Sequence, residues 1–219
     1  TPEGAAWLDA TASGYAGGIL SPRWRKEMEI DYTAVTGTKL FPGWDTWKKN
    51  GRIVVPPFPP NGWRLYGSYD HGWNRPACYF VHAVAPEGVK ATIWEFYADH
   101  VPVASITRII KGEAVRLPDG RTFPGNPFAG REVWKRADRE IWRENQDSEH
   151  AEFRAIVRLF QREGVQFIEA SRGGDITVAE WLLGNDWADP MNPSYIITTD
   201  CPNLIRELGG LHHPRQSAQ

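Results

Sequence analysis

Apolar and polar residues alternate with a period of two through the middle of the chain, and with a period near four further on. Residues 66–70 rise in an apolar run to Asp70, 71–76 form a turn cluster, and 77–84 return as a run rich in aromatic and β-branched side chains. That is the pattern of two antiparallel strands. After a turn at 86–88, residues 91–97 (ATIWEFY) read as a third strand, so the three make a meander. Val103, Ile106 and Ile110 share one face of a short helix over 103–111, ended by Gly112. Residues 113–117 and 121–123 flank Asp119-Gly120, a strong signal for a projecting hairpin. A strand over 133–137 runs, like the first, into an acid, here Asp138.

The strongest helical pattern follows. Phe153, Ile156, Val157 and Phe160 fall at i, i+3, i+4 and i+7, with Asp147 or Ser148 as cap, Glu149 and Glu152 in the first turn and Gly164 as stop. Residues 165–170 read as a strand, so strand, helix and strand predict a parallel crossover. Asp175 caps a shorter helix to Leu183, ended by Gly184; 195–199 and 202–208 close the pattern as strand and helix. Upstream, 1–20 has no period, and Ser21-Pro22 opens a helix with Trp24, Met28 and Tyr32 on one face. Residues 41–50 read as turns, and 53–55 as a short strand stopped by the polyproline run 56–60. The division expected is an N-terminal segment over 1–60, a core over 61–211 and a tail over 212–219. Three meandering strands followed by alternating helix and strand predict an α/β fold, a mixed central sheet with helices on both faces.

Composition narrows the function. Hydrophobic content of 41% and charged content of 24% are those of an ordinary globular protein. A net charge of −2 excludes a uniformly basic chain, so a polyanion would have to meet a local patch. Cys78 and Cys201 make no disulfide framework and read as buried thiols of a reducing compartment. No apolar run approaches the ~18 residues of a membrane span. A nucleotide phosphate loop, a serine-hydrolase elbow and zinc-ligand spacing are all missing from the sequence.

The chemistry concentrates on acids. The first and fourth core strands would lie side by side at the centre of such a sheet, and Asp70 and Asp138 end them. If both run the same way their carboxylates converge, and two like charges that close repel unless a cation lies between them. Oxygen ligands suit Mg²⁺ or Mn²⁺, and two such ions ~3.5–4 Å apart are what a two-metal phosphoryl-transfer site needs. Gly72 would leave room for a ligand, and Glu95 on the third strand is a further catalytic candidate. Each has a plain structural reading beside it: Asp70 as a loop start, Glu95 as an acid on a solvated face, His71 as a turn histidine facing water. Lys135, Arg136, Arg139 and Arg143 supply charge for a phosphate backbone or form a solvated loop. Arg116 and Arg121 flank a hairpin able to reach a duplex groove, and Arg172 is another contact of that kind.

Taken in order, several fragments resemble the nuclease domain of the large terminase subunit of tailed bacteriophages and prophages. They are the Trp24-Arg25-Lys26-Glu27 helix leading to Gly37 and Phe41; the Gly67-Ser68-Tyr69-Asp70-His71-Gly72 strand end; Trp94-Glu95-Phe96-Tyr97; Arg136-Ala137-Asp138; Phe160-Gln161-Arg162-Glu163-Gly164-Val165; and Cys201-Pro202-Asn203-Leu204-Ile205-Arg206-Glu207-Leu208. The resemblance implies a ribonuclease-H-like fold and a metal-dependent endonuclease cutting double-stranded DNA during genome packaging. It implies Asp70 and Asp138 as metal ligands, an ATPase motor domain upstream, a small terminase and a portal as partners, and the cytoplasm of a bacterial host. One departure stands out. The family carries a third acid after the Cys-Pro-Asn-Leu-Ile helix, in an acid-rich segment where this sequence has His212-His213-Pro214-Arg215-Gln216-Ser217-Ala218-Gln219. That departure favours a rival reading, a catalytically silent module docking on DNA or the packaging machinery. A resolvase- or transposase-like enzyme is a third.

Overall fold

The computed structural model describes residues 7, 11–12, 39–143, 155–170 and 183–211. The helix expected after Ser21-Pro22, the one capped by Asp175 up to residue 182, the 212–219 tail and Arg172 lie outside them. The chain divides into two units, Thr1–Thr46 with Arg206–Gln219, and Trp47–Ile205. In the first, the Leu40 N–H donates to the Leu211 carbonyl (2.9 Å) and Lys39 pairs with Asp45 (2.9 Å). Gly209 is there because the Trp44 indole occupies the space a Cβ would need.

The second unit is built on one sheet. In chain order the described elements are α1 (Trp44–Lys49), β1 (Val54–Val55), β2 (Arg64–Asp70), β3 (Ala77–Val84), β4 (Lys90–Ala98), α2 (Val103–Ile110), β5 (Val115–Arg116), β6 (Thr122–Phe123), β7 (Glu132–Ala137), a 3₁₀ turn (Arg139–Trp142), α3 (Ile156–Arg162), β8 (Ile168–Glu169), β9 (Tyr195–Thr198) and α4 (Pro202–Gly210). Seven strands run in the order β1-β9-β4-β3-β2-β7-β8. In this sheet the β2-β3-β4 meander is antiparallel and every other pairing is parallel, while β5 and β6 form a separate antiparallel pair. This is the mixed α/β architecture expected from the order of periods.

Period-two alternation decides which face each strand buries. Leu65 and Tyr69, Tyr79, Val81 and Ala83, and Phe96 enter one hydrophobic core with Ile106, Ile109 and Ile110 of α2 and Phe160 of α3. Tyr69, Phe160 and Phe167 pack ring against ring with centroids 5.1–5.4 Å apart, which ties β2 to the crossover.

Several elements differ from expectation. The stretch read as turns holds the helix α1. The strand expected before the polyproline run joins the main sheet beside β9, so it belongs with the core strands. The part of the expected crossover helix before residue 155 lies outside the described residues; within them the helix begins at Ile156, after an extended Ala155 (φ −124°, ψ 135°). The hairpin at Asp119-Gly120 does not project. Val115 and Leu117 are buried, and Arg121 donates back to the Asp99 carbonyl (3.0 Å). No described helix is long and apolar enough to cross a membrane.

Candidate active site

Two parallel strands end together. β2 and β7 pair with Tyr69 opposite Ala137, and beyond that pair the Asp138 N–H donates to the Tyr69 carbonyl (3.0 Å), so the ladder continues to Asp70 and Asp138. Neighbouring strands lie about 4.8 Å apart, so the two carboxylates leave the sheet as neighbours. Asp138 Oδ1 accepts from the Glu140 N–H (2.8 Å) and caps the 3₁₀ turn.

Charge makes this pair unusual. Burial pushes the Asp70 carboxyl above its ordinary range, and the negative charge of Asp138, with a smaller contribution from Glu140, pushes it further. The His71 backbone N–H and ring pull the other way without cancelling the rise. Cys78 lies opposite Asp70 on β3, and burial plus that charge raises its thiol to about 12, so it stays protonated. No described group of three or more His, Cys, Asp or Glu side chains is arranged to hold a metal ion.

Two local readings are corrected here. Gly72 does not leave room for a ligand, since a Cβ there would collide with the Arg75 and Pro76 carbonyl oxygens of its own turn. His71 does not face open water. Its Nδ1 bonds the Tyr69 hydroxyl (2.8 Å), and burial lowers its pKa.

Glu95 stands apart from the aspartates. Asp70 is opposite Cys78, Cys78 is opposite Tyr97, and Glu95 is two residues before Tyr97. Strand spacing and rise put its Cα about 12 Å from that of Asp70. Both oxygens of its carboxylate are engaged at the start of α4. Oε1 accepts from the Asn203 N–H and Nδ2 (both 2.7 Å), and Oε2 from the Leu204 N–H (2.9 Å). A carboxylate on the first N–H groups of a helix is a structural cap.

No protein-family model and no curated protein matches the sequence. Solved structures do match. The nuclease domain of the P22 large terminase superposes with a TM-score of 0.53 at 12% identity, over 74% of this chain and 75% of that one. The large terminase of a thermophilic bacteriophage superposes with a TM-score of 0.50 at 14% identity, over 80% of this chain. The ADP complex of that same terminase gives 0.50 at 13%, over 87%. The chain spans 38% and 44% of the length of those last two. The fold is that of a phage large-terminase nuclease domain. This terminase nuclease fold is ribonuclease-H-like, a seven-stranded mixed sheet flanked by helices.

On this terminase nuclease fold the cations named from the sequence scatter. Arg136 is in register with Ser68, on the same face as the aspartates, and its guanidinium lies over Trp134 (4.8 Å). Arg139 pairs with Glu169 (3.5 Å) and Arg143 with Glu140 (3.0 Å), both exposed pairs that hold weakly. Arg116 is exposed on β5. Arg121 is tied to Asp119 (2.7 Å) and Asp99 (3.2 Å). Lys135 is on the opposite face of β7 from Arg136, where alternation turns it toward the core, 3.7 Å from the buried Glu132.

Two polar clusters have no signature in the residue pattern. Beneath β2, Glu132 Oε1 accepts from the Tyr79 hydroxyl (3.0 Å) and Asn126 Nδ2 (2.7 Å), and Gly67 is required because the Tyr79 hydroxyl fills its Cβ position. On the aspartate face, His82 bonds Ser68 Oγ through Nε2 (2.7 Å) and Thr92 Oγ1 through Nδ1 (2.9 Å). Burial lowers the His82 pKa to about 4, and among the described residues its ring nitrogens meet hydroxyls, Ser68 and Thr92, rather than a carboxylate. A groove of about 620 Å³ at the outer edge of β7, lined by Val133, Trp134 and Gln166, includes neither aspartate.

Proposed function

We propose that Asp70 and Asp138 together hold a divalent cation, Mg²⁺ or Mn²⁺, and that this chain is a metal-dependent endonuclease domain acting on double-stranded DNA. The observation that carries the reading is a strand-end pair of carboxylates with Asp70 pushed toward protonation. That electrostatic conflict fits a cation, because hard oxygen ligands bind it and its charge removes the repulsion. Such an ion, when bound, lowers the pKa of a water and stabilises the leaving oxygen of a phosphodiester.

This chain's own residues do the rest. Asp70, on a buried strand, and Asp138, locked by its cap bond to Glu140, present ligands that need little reordering. Arg136 holds a substrate phosphate on the aspartate face. Arg139 and Arg143 exchange their exposed carboxylate partners for the DNA backbone. Glu95 acts as a positioning residue that ties α4 to β4. Cleavage would leave a 5′-phosphate and a 3′-hydroxyl, with slight sequence preference because no described helix is placed as a recognition helix. By the same reading the natural setting is phage genome packaging in a bacterial host cytoplasm, with an ATPase motor domain, a small terminase and a portal as partners. The two-ion arrangement needs a further ligand beyond these aspartates.

One observation favours a second reading. Among the described residues no third metal-ligating side chain joins the pair, as a silent docking module of the same fold would have it. Two measurements separate them. Supercoiled plasmid with Mn²⁺ should be nicked; no nicking at high protein sinks the endonuclease. Calorimetric Mn²⁺ titration should show binding that Asp70→Ala abolishes, and a silent module would show none.

A further inference from the structure

The loop that leaves Asp70 presents a tryptophan to solvent. Trp73 is 52% exposed, although an indole is among the side chains that gain most from burial. Its backbone is held on both sides. Gly72 packs so tightly on the Arg75 and Pro76 carbonyls that only glycine fits. On the other side the His100 N–H donates to the Trp73 carbonyl (3.0 Å). His100 itself sits in the left-handed region (φ 51°), the only described non-glycine residue to do so, and its ring meets the Trp73 ring edge-on at 5.4 Å. Backbone strain of this kind persists where the surroundings over-determine it and gathers at working sites. The loop is therefore built to keep the indole outside.

Three residues of chain reach at most about 11 Å, so Trp73 lies within that distance of Asp70, on the β4 side where His100 holds it. The neighbouring charges argue against a phosphate as its partner. Asp99 and Asp119 share Arg121, and Asp99 also meets His100 (3.3 Å). Arg75 lies in the same turn as Trp73 and Arg116 on the same hairpin as Arg121, so among the described residues this flank mixes acids and arginines. The β7 flank, with Arg136, Arg139 and Arg143, holds the backbone instead. What fits an exposed indole among acids and arginines already paired with each other is the uncharged face of a base.

We infer that Trp73 stacks on an unpaired nucleobase next to the phosphate that a cation at Asp70 and Asp138 would hold, so the site prefers locally opened DNA to an intact duplex. This rests on the nuclease reading, which places DNA there at all. The test is fluorescence anisotropy with Ca²⁺ in place of Mg²⁺ or Mn²⁺, so that a hard cation can occupy the aspartates while the DNA is kept from being cut. A labelled 30-base-pair duplex is compared with the same duplex carrying a three-nucleotide central bubble, for wild type, Trp73→Ala and Trp73→Phe.

Wild type should bind the bubble more tightly than the duplex. Trp73→Ala should lose about tenfold on the bubble and under twofold on the duplex, within the range of one stacked base. Trp73→Phe should keep most of the affinity, which also shows that the loop folds without the indole. Equal binding by wild type and Trp73→Ala on both DNAs overturns the stacking alone, as does an equal loss on both. Failure of the wild type to bind either DNA overturns the nuclease reading and the stacking together.

Discussion

The carboxylates of one sheet fall into two groups, and their partners differ in kind. Glu95 accepts three hydrogen bonds from the start of α4. Glu132, with a fully buried side chain, has Tyr79, Asn126 and Lys135 around it. Asp70 faces Asp138 and Glu140 instead, and its proton is held more tightly as a result. The acids that hold the fold each accept hydrogen bonds from groups of other elements, two on Glu132 Oε1 and three on Glu95. Among the described residues Glu132 Oε2 has only Lys135 nearby. The pair at the strand ends is left with a repulsion that an external cation would relieve. An acid's partners are thus a better guide to function than its place at the end of a strand.

The contrast makes opposite demands on mutants. The largest effect should fall on cleavage: Asp70→Asn, or Asp138→Ser, which keeps the cap on the 3₁₀ turn, should slow Mn²⁺-dependent plasmid nicking by about 10³-fold or more. Glu95→Ala should slow it by less than about tenfold. Equal losses for Glu95 and Asp70 would erase the distinction.

Stability should move the other way. Glu132→Ala takes the carboxylate away from Lys135 and the buried Tyr79 hydroxyl and should cost about 3 kcal/mol. At this chain length that lowers the thermal midpoint by about 6–12 °C. Glu95→Ala removes three charge-assisted bonds from a partly exposed cap and should cost about 2 kcal/mol, read as a smaller drop in the same melt.

The smallest effect has the most telling sign. Asp70→Asn should raise the midpoint in metal-free buffer at neutral pH. The folded-state pKa of Asp70 is raised, so folding favours the protonated form, and wild-type stability falls as pH rises from the ordinary Asp value of about 3.9 through the folded value. The gap between variant and wild type should therefore close as pH is lowered toward 4. Added Mn²⁺ should close it at neutral pH by stabilising the wild type alone. A melt in which Asp70→Asn is less stable at neutral pH would break the comparison.

Much of the fold was legible because local signals agreed. The alternation in 66–84 and 91–97 marked the meander, and α2 falls within one residue of the expected helix. Elsewhere tertiary contacts overrode the pattern. The apolar run 165–170 yields only a two-residue strand, because Val165 and Phe167 turn into the core before Ile168 reaches β7. The turn-rich stretch 41–50 becomes helical where Trp44 is buried against Gly209, a contact with no local signature. Within the candidate site, the aspartates were visible as strand ends. The engagement of Glu95 with α4 was not, since the donors it meets lie 108 residues away.

Residue type and period by themselves determined that this chain builds strands, that Asp70 and Asp138 stand where two of them stop, and that Lys135 and Arg136 face opposite ways. Those properties depend only on neighbours a few positions along the chain. Which strands lie side by side, in which direction and register, was decided by the tertiary structure. Backbone ladder bonds are the same for any partner, so only the packing of distant side chains selects β7 as the neighbour of β2 and brings the two acids together.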